Sequence, residues 1–182
     1  MQEIEVKILE IDTKKVIAKL KELGARKVFE GQMDVCYYDF KDHSLSDNGK
    51  ILRLRTKGQK SEFTVKRKMG KAEAKVMEEY EVTVNDFAAM QTILQEIGLK
   101  KLQSATKHRA SYALGKIHFE FDTIPGLPTF LEVEAPTMDE LKSVIKKIGF
   151  TMGDTKPWSG KDVVRHYGKR KMPKLAGNFY KQ

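Results

Sequence analysis

Apolar and charged residues alternate one for one through much of this chain, and the alternation yields to a helical spacing in only three places. In the stretch from Gln2 to Lys7, Glu3, Glu5 and Lys7 fall on one side of an extended segment and Ile4 and Val6 on the other, because successive strand side chains point to opposite faces. The pattern predicts strands over 2–10, 26–30, 34–40, 50–57, 61–68, 76–84, 104–114, 116–124 and 129–135. Turn signals separate them at Asp47-Asn48-Gly49, Lys57-Gly58, Met69-Gly70, Leu114-Gly115 and Pro125-Gly126-Leu127-Pro128. Connections this short imply antiparallel hairpins. Helical spacing appears over 12–23 (Val16, Ile17, Leu20, Leu23), 85–97 (Phe87, Met90, Ile93, Leu94, Ile97) and 138–148 (Leu141, Val144, Ile145, Ile148). Each of these segments stops at a glycine: Gly24, Gly98 and Gly149.

The charges themselves change what the strands mean. Arg53 and Arg55 oppose Leu52 and Leu54; Thr64, Lys66 and Lys68 oppose Phe63 and Val65; Glu79 and Glu81 oppose Tyr80 and Val82. Lys107 aligns with Arg109, His118 and Glu120 with Asp122, and Glu132 with Glu134. Any one such face reads as a wetted outer surface. Strand after strand, however, sets two like charges at i and i+2, roughly 7 Å apart, an unfavourable spacing unless opposite charge neutralises it. The set predicts a closed sheet with a charged interior, its apolar faces turned outward beneath the helices. That inverts the usual small barrel, whose interior is filled by packed side chains.

A lumen of both signs calls for a ligand to match. Carboxylate pairs such as Glu3/Glu5 and Glu132/Glu134 suit a hard divalent cation, Mg²⁺ or Mn²⁺, bound through oxygen. Arg53, Arg55, Lys66, Lys107 and Arg109 suit phosphate oxygens. A metal-bound triphosphate fits such a corridor, where catalysis is mostly positioning and charge stabilisation. The chain has no Walker loop, GxGxxG, HExxH or Cys/His metal pattern. Its net charge of +9 over 182 residues attracts polyanions. Yet the charged faces lack the stacking aromatics of single-strand readers, and the acidic ladders repel a phosphate backbone, so nucleic acid is set aside as partner. The lone cysteine, Cys36, lies in an apolar run and reads as a buried core thiol in a reducing, cytoplasmic setting. No apolar run approaches membrane-spanning length. Trp158 reads as a core residue, and the segment 156–167 as a helix or cap at one tunnel mouth.

The ordered series Glu3-x-Glu5-x-Lys7, Arg53-x-Arg55, Lys66, Glu79-x-Glu81, Lys107-x-Arg109, Asp122, Glu132-x-Glu134 resembles the CYTH superfamily, the triphosphate tunnel metalloenzymes. The resemblance covers roughly residues 1–170, leaving 171–182 as a basic tail. It implies an α+β fold: a closed antiparallel eight-stranded β-barrel, or tunnel, with a charged interior and flanking helices. It implies metal ligands among Glu3, Glu5, Glu79, Glu81, Asp122, Glu132 and Glu134. It implies triphosphate binding by Lys7, Arg53, Arg55, Lys66, Lys107 and Arg109, with Glu3, Glu5, Lys7, Lys66 and Arg109 carrying catalysis. The implied substrates are inorganic triphosphate, ATP or thiamine triphosphate, with Mg²⁺ or Mn²⁺ as cofactor and a monomer or homodimer as the acting form. Arg53-x-Arg55 and Glu132/Glu134 resemble the triphosphatase pattern; Lys107 to Tyr112 and the Gly115 turn resemble the branch of class IV adenylate cyclases, which convert ATP to cyclic AMP and pyrophosphate.

Overall fold

Every run of strict alternation is a strand, and the strands close on themselves. In the computed structural model, which describes residues 2–69 and 73–168, these are β1 (Gln2–Ile8), β2 (Arg26–Asp39), β3 (Lys50–Lys57), β4 (Lys60–Lys68), β5 (Lys75–Val84), β6 (Lys100–Leu114), β7 (Ile117–Thr123), β8 (Phe130–Ala135) and the two-residue β9 (Thr155–Lys156). The helices are α1 (Thr13–Glu22), α2 (Ser44–Asp47), α3 (Phe87–Glu96), α4 (Met138–Lys147) and α5 (Gly160–Gly168). The sheet order is β5-β4-β3-β2-β6-β7-β8-β1, all antiparallel, and β1 pairs back to β5. This is the expected eight-stranded tunnel. Its closing seam is divided: Gln2 to Glu5 of β1 pair with β5, whereas Lys7 and Ile8 pair with Lys156 and Thr155 of β9.

The apolar faces point outward, and helices cover them. Ile4, Val6 and Ile8 of β1, Phe119 and Phe121 of β7, and Leu131 and Val133 of β8 pack with Val16 and Leu20 of α1 and Leu141, Val144 and Ile145 of α4. On the other side, Cys36 and Tyr38 of β2 and Leu52 and Leu54 of β3 lie beneath Leu94 of α3. Gln91 of α3 donates to the Tyr38 hydroxyl at 3.0 Å, and the Cys36 thiol is buried as its sequence context predicts. A third cluster joins Val163, Val164 and Tyr167 of α5 to Ile124, Leu127 and Phe130, with Trp158 at its margin. The helices begin where their caps dictate: Asp12, Asp86 and Thr137 accept from Lys15 N, Ala89 N and Glu140 N. Gly24 and Gly98, at φ +85° and +94°, end α1 and α3 in the left-handed conformation that glycine adopts without strain.

The segments 26–30 and 34–40 form one strand rather than two. Gly31, Gln32 and Asp34 look like turn residues, but β6 pairs across them without a break in the ladder, and irregularities occur instead at Lys27/Phe29 and Tyr37/Tyr38. Buried Asp39 ends the strand by accepting from the backbone N–H groups of Phe40, Leu45 and Ser46, which sets up α2. Among the described residues no helix is long and apolar enough to cross a membrane. The basic tail 171–182 lies outside the described residues.

Phe121 and Leu54 are buried in separate clusters. Replacing either with alanine is expected to cost about 3 kcal/mol, and the two losses to add in the double variant, as for distant sites. Urea unfolding of the four proteins measures both; strong non-additivity would show that the two outer cores are one.

Candidate active site

Closing the sheet brings the charged ladders into one lumen, where they divide by sign. Around the barrel, β6 (Lys107, Arg109) and β3 (Arg53, Arg55), on either side of β2, form a cationic arc, with Lys66 of β4 at its edge. Acids predominate on the inward positions of β5 (Glu79, Glu81), β1 (Glu3, Glu5), β8 (Glu132, Glu134) and β7 (Glu120, Asp122). The inward side chains of β2 between its two cationic neighbours carry no charge: Gly31, Met33, Val35 and Tyr37 lie in register with Arg109, Lys107, Ala105 and Gln103.

Two ion-pair networks hold the arcs together. In the first, Arg53 Nη2 donates to Thr64 Oγ1 at 3.2 Å, Glu79 Oε1 at 3.3 Å and Glu81 Oε2 at 3.4 Å. Arg55 donates to Glu62 at 2.5 Å and Glu81 at 3.3 Å. Lys66 pairs with Glu3 at 2.6 Å and also with Glu79. In the second, Asp122 takes a two-pronged contact from Arg109, both at 2.6 Å, and a third bond from Lys107 at 2.7 Å. Arg109 reaches Glu132 at 3.4 Å, Lys7 pairs with Glu132 and lies 3.3 Å from Glu5, and Ser111 donates to Glu120. Lys75 of β5 crosses the seam to Glu5 at 2.8 Å.

Every site residue predicted from the sequence therefore lines one lumen, but the acids do not act alike. Burial opposes ionisation of Asp122, and the cations Arg109 and Lys107 outweigh it, holding the carboxyl below its usual range. Lys7, Arg109 and Lys107 do the same for Glu132, and Lys7, Lys75 and Lys66 for Glu5. Glu79 is held at about 2 despite burial, by its hydrogen bond with Glu3 and by Lys66 and Arg53. Two acids move the other way. Burial, then the hydrogen bond with Glu79, pushes Glu3 up to about 8. Burial, then the nearby Glu132 carboxylate, pushes Glu134 to about 7. The Lys107 ammonium is pushed down to about 8 by burial and by Arg109.

Among the described residues no three His, Cys, Asp or Glu side chains are already grouped to hold a metal ion. Glu79, Glu81, Asp122 and Glu132 are turned to arginine and lysine instead. Glu3 and Glu5 pair with lysines alone, whereas Glu134, in register with Glu5 across β1 and β8, pairs with none. Glu134 makes no hydrogen bond or ion pair among the described residues, and its raised pKa marks a carboxyl short of positive charge. One or two carboxylates suffice for Mg²⁺, which keeps water and phosphate as its other ligands, so this corner fits a hard divalent cation. Sequence reading missed Lys75 and Glu62. Both follow from extending a ladder by period two, Glu62 from Thr64 and Lys75 from Glu79, but the apolar Met77 interrupts the second. Lys68, also on the inward-facing side of β4, is exposed at the strand end.

Residues 1–167 match the CYTH domain family. A Methanocaldococcus jannaschii protein named "Putative adenylate cyclase" is 29% identical over 139 residues, spanning 76% of this chain and 79% of its own length. The fold superposes on the PH1012 protein of Pyrococcus horikoshii OT3 with a TM-score of 0.74 at 23% identity, covering 88% of this chain and 98% of the other. It also superposes on a Hippeastrum protein described as a "Putative adenylyl cyclase" with a dominant triphosphatase activity. There the TM-score is 0.63 at 15% identity, with 92% and 95% covered.

The raised carboxyls fix a pH dependence. An unfolded glutamate titrates near 4.5, whereas Glu3 and Glu134 in the folded chain hold protons to about 8 and about 7. Between those values the folded state binds more protons than the unfolded, so stability falls as pH rises. In chelator, scanning calorimetry is expected to show the melting temperature dropping between pH 5 and pH 8. Glu134→Gln should flatten the drop and melt above the parent at pH 8. A midpoint that climbs over this range would contradict the assignment.

Proposed function

The chain belongs to the CYTH domain family, and from that membership we propose that it is a divalent-metal-dependent enzyme that hydrolyses a triphosphate within the tunnel. The observation that carries the proposal is the polarised lumen: a cationic arc on β6 and β3 faces an acidic arc on β5, β1, β8 and β7. A triphosphate with its metal has the same polarity, anionic oxygens on one side and a cation on the other. Arg53 and Arg55, adjacent on one face of β3, and Lys107 and Arg109 on β6 bind phosphate oxygens, the arginines two at a time. Lys7 and Lys66, each already between two carboxylates, follow the shifting charge on the transferred group. Lys107, close to losing its proton at neutral pH, regains full charge beside a phosphate. Glu3, Glu5 and Glu134 hold the Mg²⁺ or Mn²⁺, with Glu79, Glu81, Asp122 and Glu132 orienting the cations around it. When bound, the metal supplies charge neutralisation on the phosphoryl oxygens and a more acidic water.

The triphosphatase activity described for the Hippeastrum protein supports hydrolysis. The name of the M. jannaschii relative supports a second reading, cyclisation of ATP to cyclic AMP and pyrophosphate in the same site. The reading takes the protein as cytoplasmic, on its single buried thiol, and as acting as a monomer or homodimer.

Inorganic triphosphate and ATP, supplied in parallel with Mg²⁺, Mn²⁺ or chelator, separate the readings by product. Phosphate release that chelator stops is the expected outcome; cyclic AMP with pyrophosphate would establish the cyclase instead. Glu5→Gln and Glu134→Gln should each lower turnover by about a hundredfold or more, the scale of a few kcal/mol of lost charge stabilisation, with circular dichroism unchanged. Full activity in both variants would remove these carboxylates from the site.

A further inference from the structure

We infer that Lys75 is a placeholder for the metal: its ammonium holds the Glu5 carboxylate until a divalent cation takes it, and loading the site releases Lys75 from the seam. The inference rests on the metal reading above and assigns Lys75 a positioning role within it.

Lys75, Glu5 and Glu134 stand in register across β5, β1 and β8. The Lys75 ammonium donates to Glu5 Oε1 at 2.8 Å, closer than Lys7, which lies 3.3 Å from the same oxygen. Glu5 is 4% exposed, and a carboxylate that deep needs a cation beside it, because a buried charge without its partner is costly. Among the described residues three lysines pair with the acids of this corner, and they differ in what else they hold. Lys7 is shared with Glu132, and Lys66 is shared between Glu3 and Glu79. Their side chains are 3% and 11% exposed. Lys75 pairs with Glu5 alone, its side chain is 19% exposed, and it is the first residue of β5. It is therefore the cation that can leave without stranding a second acid.

Charge balance decides which cation leaves. Glu5 and Glu134, once ionised, carry two negative charges, which a divalent cation matches. An ammonium still bonded to Glu5 would be repelled by that cation at close range. Lys7 is anchored by Glu132, so the repulsion falls on Lys75, whose flexible four-carbon stem lets the head move to water or to an anionic oxygen of the substrate. The metal gains two carboxylates and displaces one lysine. A lysine that merely oriented Glu5 would have the opposite effect: its loss would weaken the metal.

Mn²⁺ titrated into the full chain without phosphate, with free Mn²⁺ read by electron paramagnetic resonance, tests the sign. Lys75→Met is expected to bind Mn²⁺ about tenfold more tightly than the parent, the scale of one partly screened charge pair, and Lys75→Gln to shift the same way. Lys75→Arg keeps the charge and should stay within twofold. Circular dichroism reports the fold of each variant. In the parent itself, saturating Mn²⁺ should raise the acylation rate of the Lys75 amine severalfold by mass spectrometry and leave that of Lys7 unchanged. Weaker or unchanged Mn²⁺ binding in folded Lys75→Met or Lys75→Gln, or a Lys75 amine no more reactive with Mn²⁺ than without, would overturn the inference. Should Glu5→Gln and Glu134→Gln bind Mn²⁺ as the parent does, the metal reading itself falls.

Discussion

Charge neutralisation inside a closed wall is the constraint on which the rest of this structure depends. An inward-facing ladder of like charges is unfavourable alone, and a barrel gives it no bulk water in which to dissipate. Each ladder is stable only because another strand supplies the opposite sign: Arg53 and Arg55 against Glu62, Glu79 and Glu81, and Arg109 and Lys107 against Asp122. The two cationic strands are not neighbours. β2 separates them with side chains that carry no charge. With the interior committed to charge, the apolar surface faces outward, and α1, α3, α4 and α5 are needed to cover it.

The same constraint explains why the acids are not equivalent. Those beside an arginine or a pair of lysines stay ionised and serve as anchors for the cations. Glu3 and Glu134 lie where acid outnumbers base, and they answer by holding protons. A lumen described only by its formula of lysines and glutamates would miss this difference, which is a matter of neighbours rather than of residue type.

Much of this is legible in the sequence, because period-two alternation and glycine-terminated helices are local signals. Glu3 to Lys7, Arg53 and Arg55, and Glu132 and Glu134 announce their face without any knowledge of partners. Other features are not local. Lys75 joins the site only because β5 meets β1 across the seam. The continuity of β2 through Gly31 depends on β6, which lies far away in sequence. The clustering of acids around a metal also looks stronger in the ladder pattern than in the folded lumen, where arginines claim four of them.

The divided seam of β1 has a consequence for how the chain is made. β1 leaves the ribosome ahead of the strands it pairs with, β5, β8 and β9, the last of them Thr155–Lys156. At about 5–20 residues per second of synthesis, its charged and apolar edges wait roughly ten seconds or more for the strand that completes them. Long sequence separation makes such pairings slow even once all parts exist. Of the strands that pair with β1, β9 is made last, so the edge at Lys7 and Ile8 is the one whose partner is synthesised last.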